Sequence, residues 1–139
     1  NSASTPVAES DDHVFARFLV LPGLDVAGAG ARMMGRRELY VRLVRRITLE
    51  CTDTAARLGD AMRQGNRERM REVVHGAKSL LGALGADALY ALSVRLQQDL
   101  SGERDVTEDV GRFVQDYEEL LTRLQEALTA PSGRLSGPF

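Results

Sequence analysis

Apolar residues in this chain recur at intervals of three and four, and no segment alternates with a period of two. A chain patterned this way can bury one stripe of each helix against its neighbours, and it has nothing from which to build a half-buried strand. From Arg37 to about Gln64 the stripe is Tyr40, Leu43, Val44, Ile47, Cys51, Ala55, Leu58, Ala61 and Met62. That spacing predicts one long amphipathic helix, ended by Gly65-Asn66. A second helix is expected from Arg67 through Leu84, where Gly85 breaks it. A third runs from Asp87 to about Leu100, presents Leu89, Leu92, Leu96 and Leu100, and stops at Ser101-Gly102. The last begins near Thr107 and carries Val110, Phe113, Val114, Tyr117, Leu120, Leu121, Leu124 and Leu128 on one face. Short connections favour antiparallel neighbours, so the expected fold is all-α, an up-and-down four-helix bundle.

Upstream of that unit, residues 1–10 are small and polar and read as linker. Asp11-Asp12 can cap a short helix through Leu19, with Val14, Phe15, Phe18 and Leu19 on one side, until Pro22-Gly23 interrupts it. Asp25 can cap another through Met34, closed by Gly35. The short N-terminal helix is expected to cap one end of the bundle. The division is then a linker with a short helix over 1–21, the helical module over 22–129, and a flexible tail over 130–139. The start at Asn1 rather than Met reads as a piece of a longer protein.

A length of 139 residues suits one domain, and 43% apolar residues can fill its interior. The formal charge of -2 and the scattering of basic residues argue against a nucleic-acid footprint. No run approaches the ~18–20 apolar residues of a spanning helix, so direct membrane contact is not expected. The single cysteine, Cys51, cannot form an internal disulfide, and its position beside Ile47 and Ala55 on the stripe reads as a small buried hydrophobe. A reducing, cytoplasmic setting follows. Tyr40 and Tyr117 sit on apolar stripes and read as core.

His75 is the residue that stands out. On a wheel of about 100° per residue, Met70, Val73, Val74, Ala77, Leu80, Leu81 and Leu84 fall opposite it. Glu68, Arg71, Glu72, Lys78, Ser79 and Gly82 share its half. The histidine therefore faces water in the middle of a polar face. Ser79 and Gly82 leave the following turns almost bare, and glycine inside a helix costs about 0.5–1 kcal/mol relative to alanine. At Gly82 that cost points to access for an incoming partner, whereas close helix packing suits Gly76 better. Of eighteen basic residues seventeen are arginine, and the one lysine, Lys78, lies three positions after His75. A neutral imidazole nitrogen is a competent nucleophile toward phosphorus, and a cation nearby favours the neutral ring and offsets charge on phosphoryl oxygens. Glu72 would act in the opposite sense unless it pairs with Arg71 or Lys78.

These residues resemble the histidine-containing phosphotransfer (HPt) domain of multistep two-component relays. The stretch His75-Gly76-Ala77-Lys78-Ser79-Leu80-Leu81-Gly82-Ala83-Leu84-Gly85-Ala86, with Leu89 following, is similar to the family pattern of His, two residues, Lys, small residues, then Leu-Gly-Ala and a later Leu. Upstream, Leu21-Pro22-Gly23-Leu24-Asp25-Val26, Met34-Gly35 and Glu38-Leu39-Tyr40 resemble the entry segment of such domains at the end of hybrid sensor kinases. The sequence departs from the pattern at Ser79, where the family has Gly, at Leu80-Leu81, where small residues are usual, and at Gln97, where a Leu-Glu pair usually follows Leu96.

The resemblance implies a relay intermediate. His75 would accept a phosphoryl group from a receiver-domain aspartate and pass it to another receiver, with Lys78 stabilising phosphoryl charge. Glu68, Arg71, Glu72, Ser79 and Gly82 would form the docking face. Receiver domains of response regulators are the implied partners, and Mg²⁺ is expected on the receiver, with no cofactor or metal in this chain. The implied parent is a hybrid sensor kinase, whose cytoplasmic part would hold this module. No glycine-rich nucleotide loop is present, so autophosphorylation from ATP is not expected.

Two other readings compete. An HPt-like module could bind receivers or dimerise a parent protein without transferring phosphate, and the departures at Ser79 and Leu80-Leu81 favour that reading. A metal-dependent enzyme would need ligands that converge; His13 and His75 form no i, i+4 pair, and the adjacent Asp11, Asp12 and His13 do not share a helical face.

Overall fold

The computed structural model describes residues 10–130, and the described residues are all-helical. Seven helices follow one another: α1 (Asp11–Leu19), α2 (Val26–Arg32), α3 (Arg37–Glu50), α4 (Thr54–Arg63), α5 (Arg67–Leu84), α6 (Asp87–Ser101) and α7 (Thr107–Thr129). The linker expected over 1–9 and the tail expected over 131–139 lie outside the described residues. Among the described residues no helix is long and apolar enough to cross a membrane.

Local chemistry sets most of the boundaries. The Ser10 hydroxyl caps α1, accepting from the His13 amide at 3.3 Å. The expected cap, Asp11-Asp12, is instead the first turn, where carboxylates favour the positive end of the helix. Asp25 caps α2 by accepting from Gly28 N–H at 3.0 Å. That helix stops at Arg32, and Met34 and Gly35 turn the chain with φ of 61° and 73°. Asn66 caps α5, accepting from Arg69 N–H at 3.0 Å. Gly85 ends α5 in the left-handed region at φ 85°, while Ala86 N–H reaches back to the Leu81 carbonyl at 3.0 Å. A side chain at Gly85 is excluded twice over, because a Cβ there would lie 2.4 Å from the Asp25 carbonyl oxygen.

One expectation fails. The single helix predicted from Arg37 to Gln64 is two, with a break at Cys51-Thr52-Asp53. Before the break, the Thr48 hydroxyl donates to the carbonyls of Val44 and Arg45 at 3.0 and 3.1 Å, a back-bond that weakens the ladder. At the break, the Cys51 carbonyl leaves the helical ladder and accepts from the Tyr117 hydroxyl of α7 at 3.0 Å. The apolar stripe continues in phase on both sides, which is why its spacing gave no warning.

The core is one cluster that includes every helix. Tyr40 is fully buried, with Phe15 edge-on at 5.6 Å between ring centroids and Phe18 at 5.8 Å. Its hydroxyl donates to the Leu84 carbonyl at 2.7 Å, joining α3 to the last turn of α5. Val14, Phe15 and Phe18 of α1 are buried, and α1 packs on α3 and α7, so the packed unit includes residues upstream of 22. The Arg17 side chain ties α1 to the end of α7, donating to the Ala127 carbonyl at 2.6 Å.

Helices α5 and α6 are joined by only Gly85-Ala86 and lie along one another. Their partners run in opposite directions: Gly82 meets Tyr90, His75 meets Gln97, and Arg67 donates to the carbonyl of Asp99 at 2.8 Å. The pair is therefore antiparallel. The same Arg67 guanidinium donates to the Arg104 carbonyl at 2.8 Å and fixes the loop into α7. Helix α7 packs on α4 and α6, and α4 packs on α5.

Candidate functional site

The faces of α5 follow from its composition. Met70, Val73, Val74, Ala77, Leu81 and Leu84 are buried, and Leu80 is half-buried. Glu68, Arg71, Glu72, His75, Gly76 and Ser79 are exposed, while Lys78 and Gly82 are half-buried. The leucines at 80 and 81 thus point into or along the core and leave the histidine's face clear.

His75 meets one side chain from a neighbouring helix. The Gln97 amide nitrogen of α6 lies 3.0 Å from His75 Nδ1. Together with Arg71 and Glu72 these two residues line a shallow depression of about 220 Å³. Of the residues expected at the site, this depression brings together His75, Arg71 and Glu72. Lys78 and Ser79 stand one turn further along α5, outside its lining, and Glu68 lies nearly two turns before the histidine.

Gln97 was noted in the sequence only as a departure from a pattern, yet it is the residue that holds the ring. Its position was legible: residues 75 and 97 are equally far from Ala86, so an antiparallel hairpin turning there sets them opposite one another.

The two glycines exchange the roles expected of them. A Cβ at Gly76 would meet nothing within 4 Å, whereas one at Gly82 would lie 3.1 Å from two ring carbons of Tyr90. Gly82 is bare because the Tyr90 ring lies over it, and its carbonyl accepts from the Arg32 guanidinium at 3.0 Å. The open stretch beside the histidine is at Gly76. The access reading therefore moves from Gly82 to Gly76.

The charges around the ring are uncommitted. Among the described residues Glu68, Arg71, Glu72 and Lys78 make no ion pair and no hydrogen bond through their side chains. Glu72 pairs with neither Arg71 nor Lys78. Away from the depression, burial pushes the Tyr40 and Tyr117 phenols and the Cys51 thiol upward. Among the described residues no group of three or more His, Cys, Asp or Glu side chains is placed to hold a metal ion.

The arrangement can therefore present one imidazole nitrogen to a partner while the other is held by an amide. Two free cations, Arg71 and Lys78, lie within one or so turns of it on the same helix. No family model matches the chain, and no curated protein or solved structure matches it either.

Proposed function

We propose that this chain is a histidine phosphotransfer module in which His75 accepts a phosphoryl group from a receiver-domain aspartate and passes it to a second receiver. The observation that carries the reading is an exposed His75 whose Nδ1 is held 3.0 Å from the Gln97 amide. Rotation of that amide by a half-turn exchanges its oxygen and nitrogen. With the oxygen facing the ring, Nδ1–H donates to it, and the lone pair rests on the outward Nε2. That nitrogen then attacks phosphorus, the bond from phosphorus to the aspartyl oxygen breaks, and the electron pair returns to the receiver's carboxylate. The Nδ1 proton stays on the ring, held by Gln97.

Arg71 and Lys78 offset charge on the incoming phosphoryl oxygens. A divalent cation held by the receiver supplies the remaining charge stabilisation. The packing of α4 on α5 and α7, and of α6 on α5 and α7, supports the finer fold reading: an up-and-down four-helix bundle, with α3 extending α4 and α1 covering the α3–α7 side. On this reading the docking face surrounds His75, from Glu68 to Ser79, with Gly76 as its open point. The module acts in the cytoplasm, as part of a sensor kinase.

The test is to mix the chain with a phosphorylated receiver domain and map the label. Acid-labile, base-stable phosphate on His75 is the expected result. Tight receiver binding with no phosphate on His75 would replace this reading with a binding-only module.

A further inference from the structure

The carboxylate beside His75 has no evident structural work. Glu72 precedes the histidine by three positions, so the two Cβ atoms lie about 5–6 Å apart on one helix face. Both side chains line the same depression. Glu72 is exposed, and among the described residues it makes no ion pair or hydrogen bond. Its neighbours on α5 explain why. The i+4 position is Gly76, which has no side chain to offer, and the i-4 position is Glu68, a like charge. Arg71 is adjacent in sequence and lines the same depression but forms no ion pair with Glu72, and Lys78 lies six residues away. Arg69, at i-3, is exposed and is not paired with it.

On its other side Glu72 borders a groove of about 260 Å³ at the α3–α4 break, lined also by Arg46, Arg57, Glu50 and Asp53. Arg46 is already engaged there by Glu50 at 3.4 Å, and Asp53 adds a second carboxylate near Arg57. Neither arginine forms an ion pair with Glu72, and the three carboxylates lining the groove outnumber its two arginines.

Resting on the phosphotransfer reading, we propose that Glu72 is a release residue: its unpaired carboxylate destabilises phospho-His75 relative to the receiver's aspartyl phosphate and drives the group onward. The exchange is balanced at every step. Phospho-aspartate plus His75 gives aspartate plus phospho-His75, one P–O bond being exchanged for one P–N bond, and transfer to the second receiver reverses it. The phosphoryl group carries about two negative charges and the ring that keeps its Nδ1 proton carries one positive charge, so the site gains about one net negative charge. Arg71 and Lys78 hold that charge, and Glu72 opposes them. One net charge against one, about 6–7 Å apart in water-like surroundings and partly screened by salt, shifts the exchange by roughly 1.5-fold to threefold. A relay carrier that held phosphate too tightly would be a sink, and this balance prevents it.

The experiment measures the equilibrium ratio of phospho-His75 to phospho-receiver, using a receiver domain charged with acetyl phosphate and freed of excess donor. Glu72→Gln raises the ratio by roughly 1.5-fold to threefold, and the gain shrinks at high salt. Glu72→Asp, which keeps the charge, stays close to the wild type. Melting temperatures of both variants match the wild type, since the position is exposed. An unchanged ratio in Glu72→Gln, or an equal change in Glu72→Asp, overturns the proposal while leaving phosphotransfer intact. Absence of phosphate on wild-type His75 overturns the phosphotransfer reading itself, and this proposal with it.

Discussion

Replacing Gly76 and Gly82 by alanine, one at a time, separates two reasons for a bare helix position. Each substitution removes the conformational cost of glycine within α5, about 0.5–1 kcal/mol. At Gly76 nothing lies within 4 Å of the new methyl group, so the whole gain is realised. At Gly82 the methyl would stand 3.1 Å from two carbons of the Tyr90 ring, which must move by a few tenths of an ångström. Tyr90 is 40% exposed and can yield, but it gives up packing over α5 as it does so. The expected outcome is a gain of about 0.5–1 kcal/mol for Gly76→Ala and a change near zero or negative for Gly82→Ala. For a domain of this size the difference is about 2–5 °C in melting temperature. Urea titration beside thermal melts would give both numbers. Equal stabilisation by the two variants would show that Tyr90 does not govern Gly82, and a loss of stability in Gly76→Ala would show that Gly76 is not open. The same pair bears on function, because Gly76→Arg should keep the fold and weaken receiver binding by about tenfold or more.

Other substitutions test separate links. Gln97→Ala frees the His75 ring and slows phosphoryl transfer by about 10-fold or more without changing the melting temperature, as read from single-turnover transfer; wild-type rates would remove Gln97 from the site. Tyr40→Phe leaves the Leu84 carbonyl without its donor and costs about 1–3 kcal/mol in a urea titration, because the acceptor stays buried. Stability also falls at high pH. Burial raises the Tyr40 and Tyr117 phenols, whereas in the unfolded chain they ionise near pH ~10. The unfolded state then loses its protons first, so their contribution is fully present below that pH and is lost as pH rises beyond it. Denaturation midpoints measured between neutral pH and strong alkali would show the decline, and a flat profile would contradict it.

How much of this could be read in advance depends on whether a feature is local. The buried and exposed faces of α5 follow from spacing alone, because a helix's own geometry sorts Val73, Val74 and Ala77 from Arg71, Glu72 and His75. The caps at Asp25 and Asn66 and the stop at Gly85 are local chemistry too. The break at Cys51–Asp53 is not: Ile47, Cys51, Ala55 and Leu58 keep helical phase across it, and the group that receives the freed carbonyl is Tyr117, on another helix. Gly82 was misread for the same reason. Its ceiling is Tyr90, a contact set by how α5 and α6 pack. The seating of α1 against Tyr40 needed the aromatic packing of Phe15 and Phe18, which an apolar stripe announces without naming its destination. Gln97 lies between these cases, since counting outward from Ala86 sets it opposite His75.

The central claim is that His75 carries the phosphoryl group and carries nothing of the fold. Wild type and His75→Gln, mixed in parallel with the same phosphorylated receiver, test it in one experiment when their melting curves are recorded alongside. The account predicts label on the wild-type chain alone and indistinguishable melting. Label on His75→Gln, or a melting temperature lowered by several degrees, would contradict it.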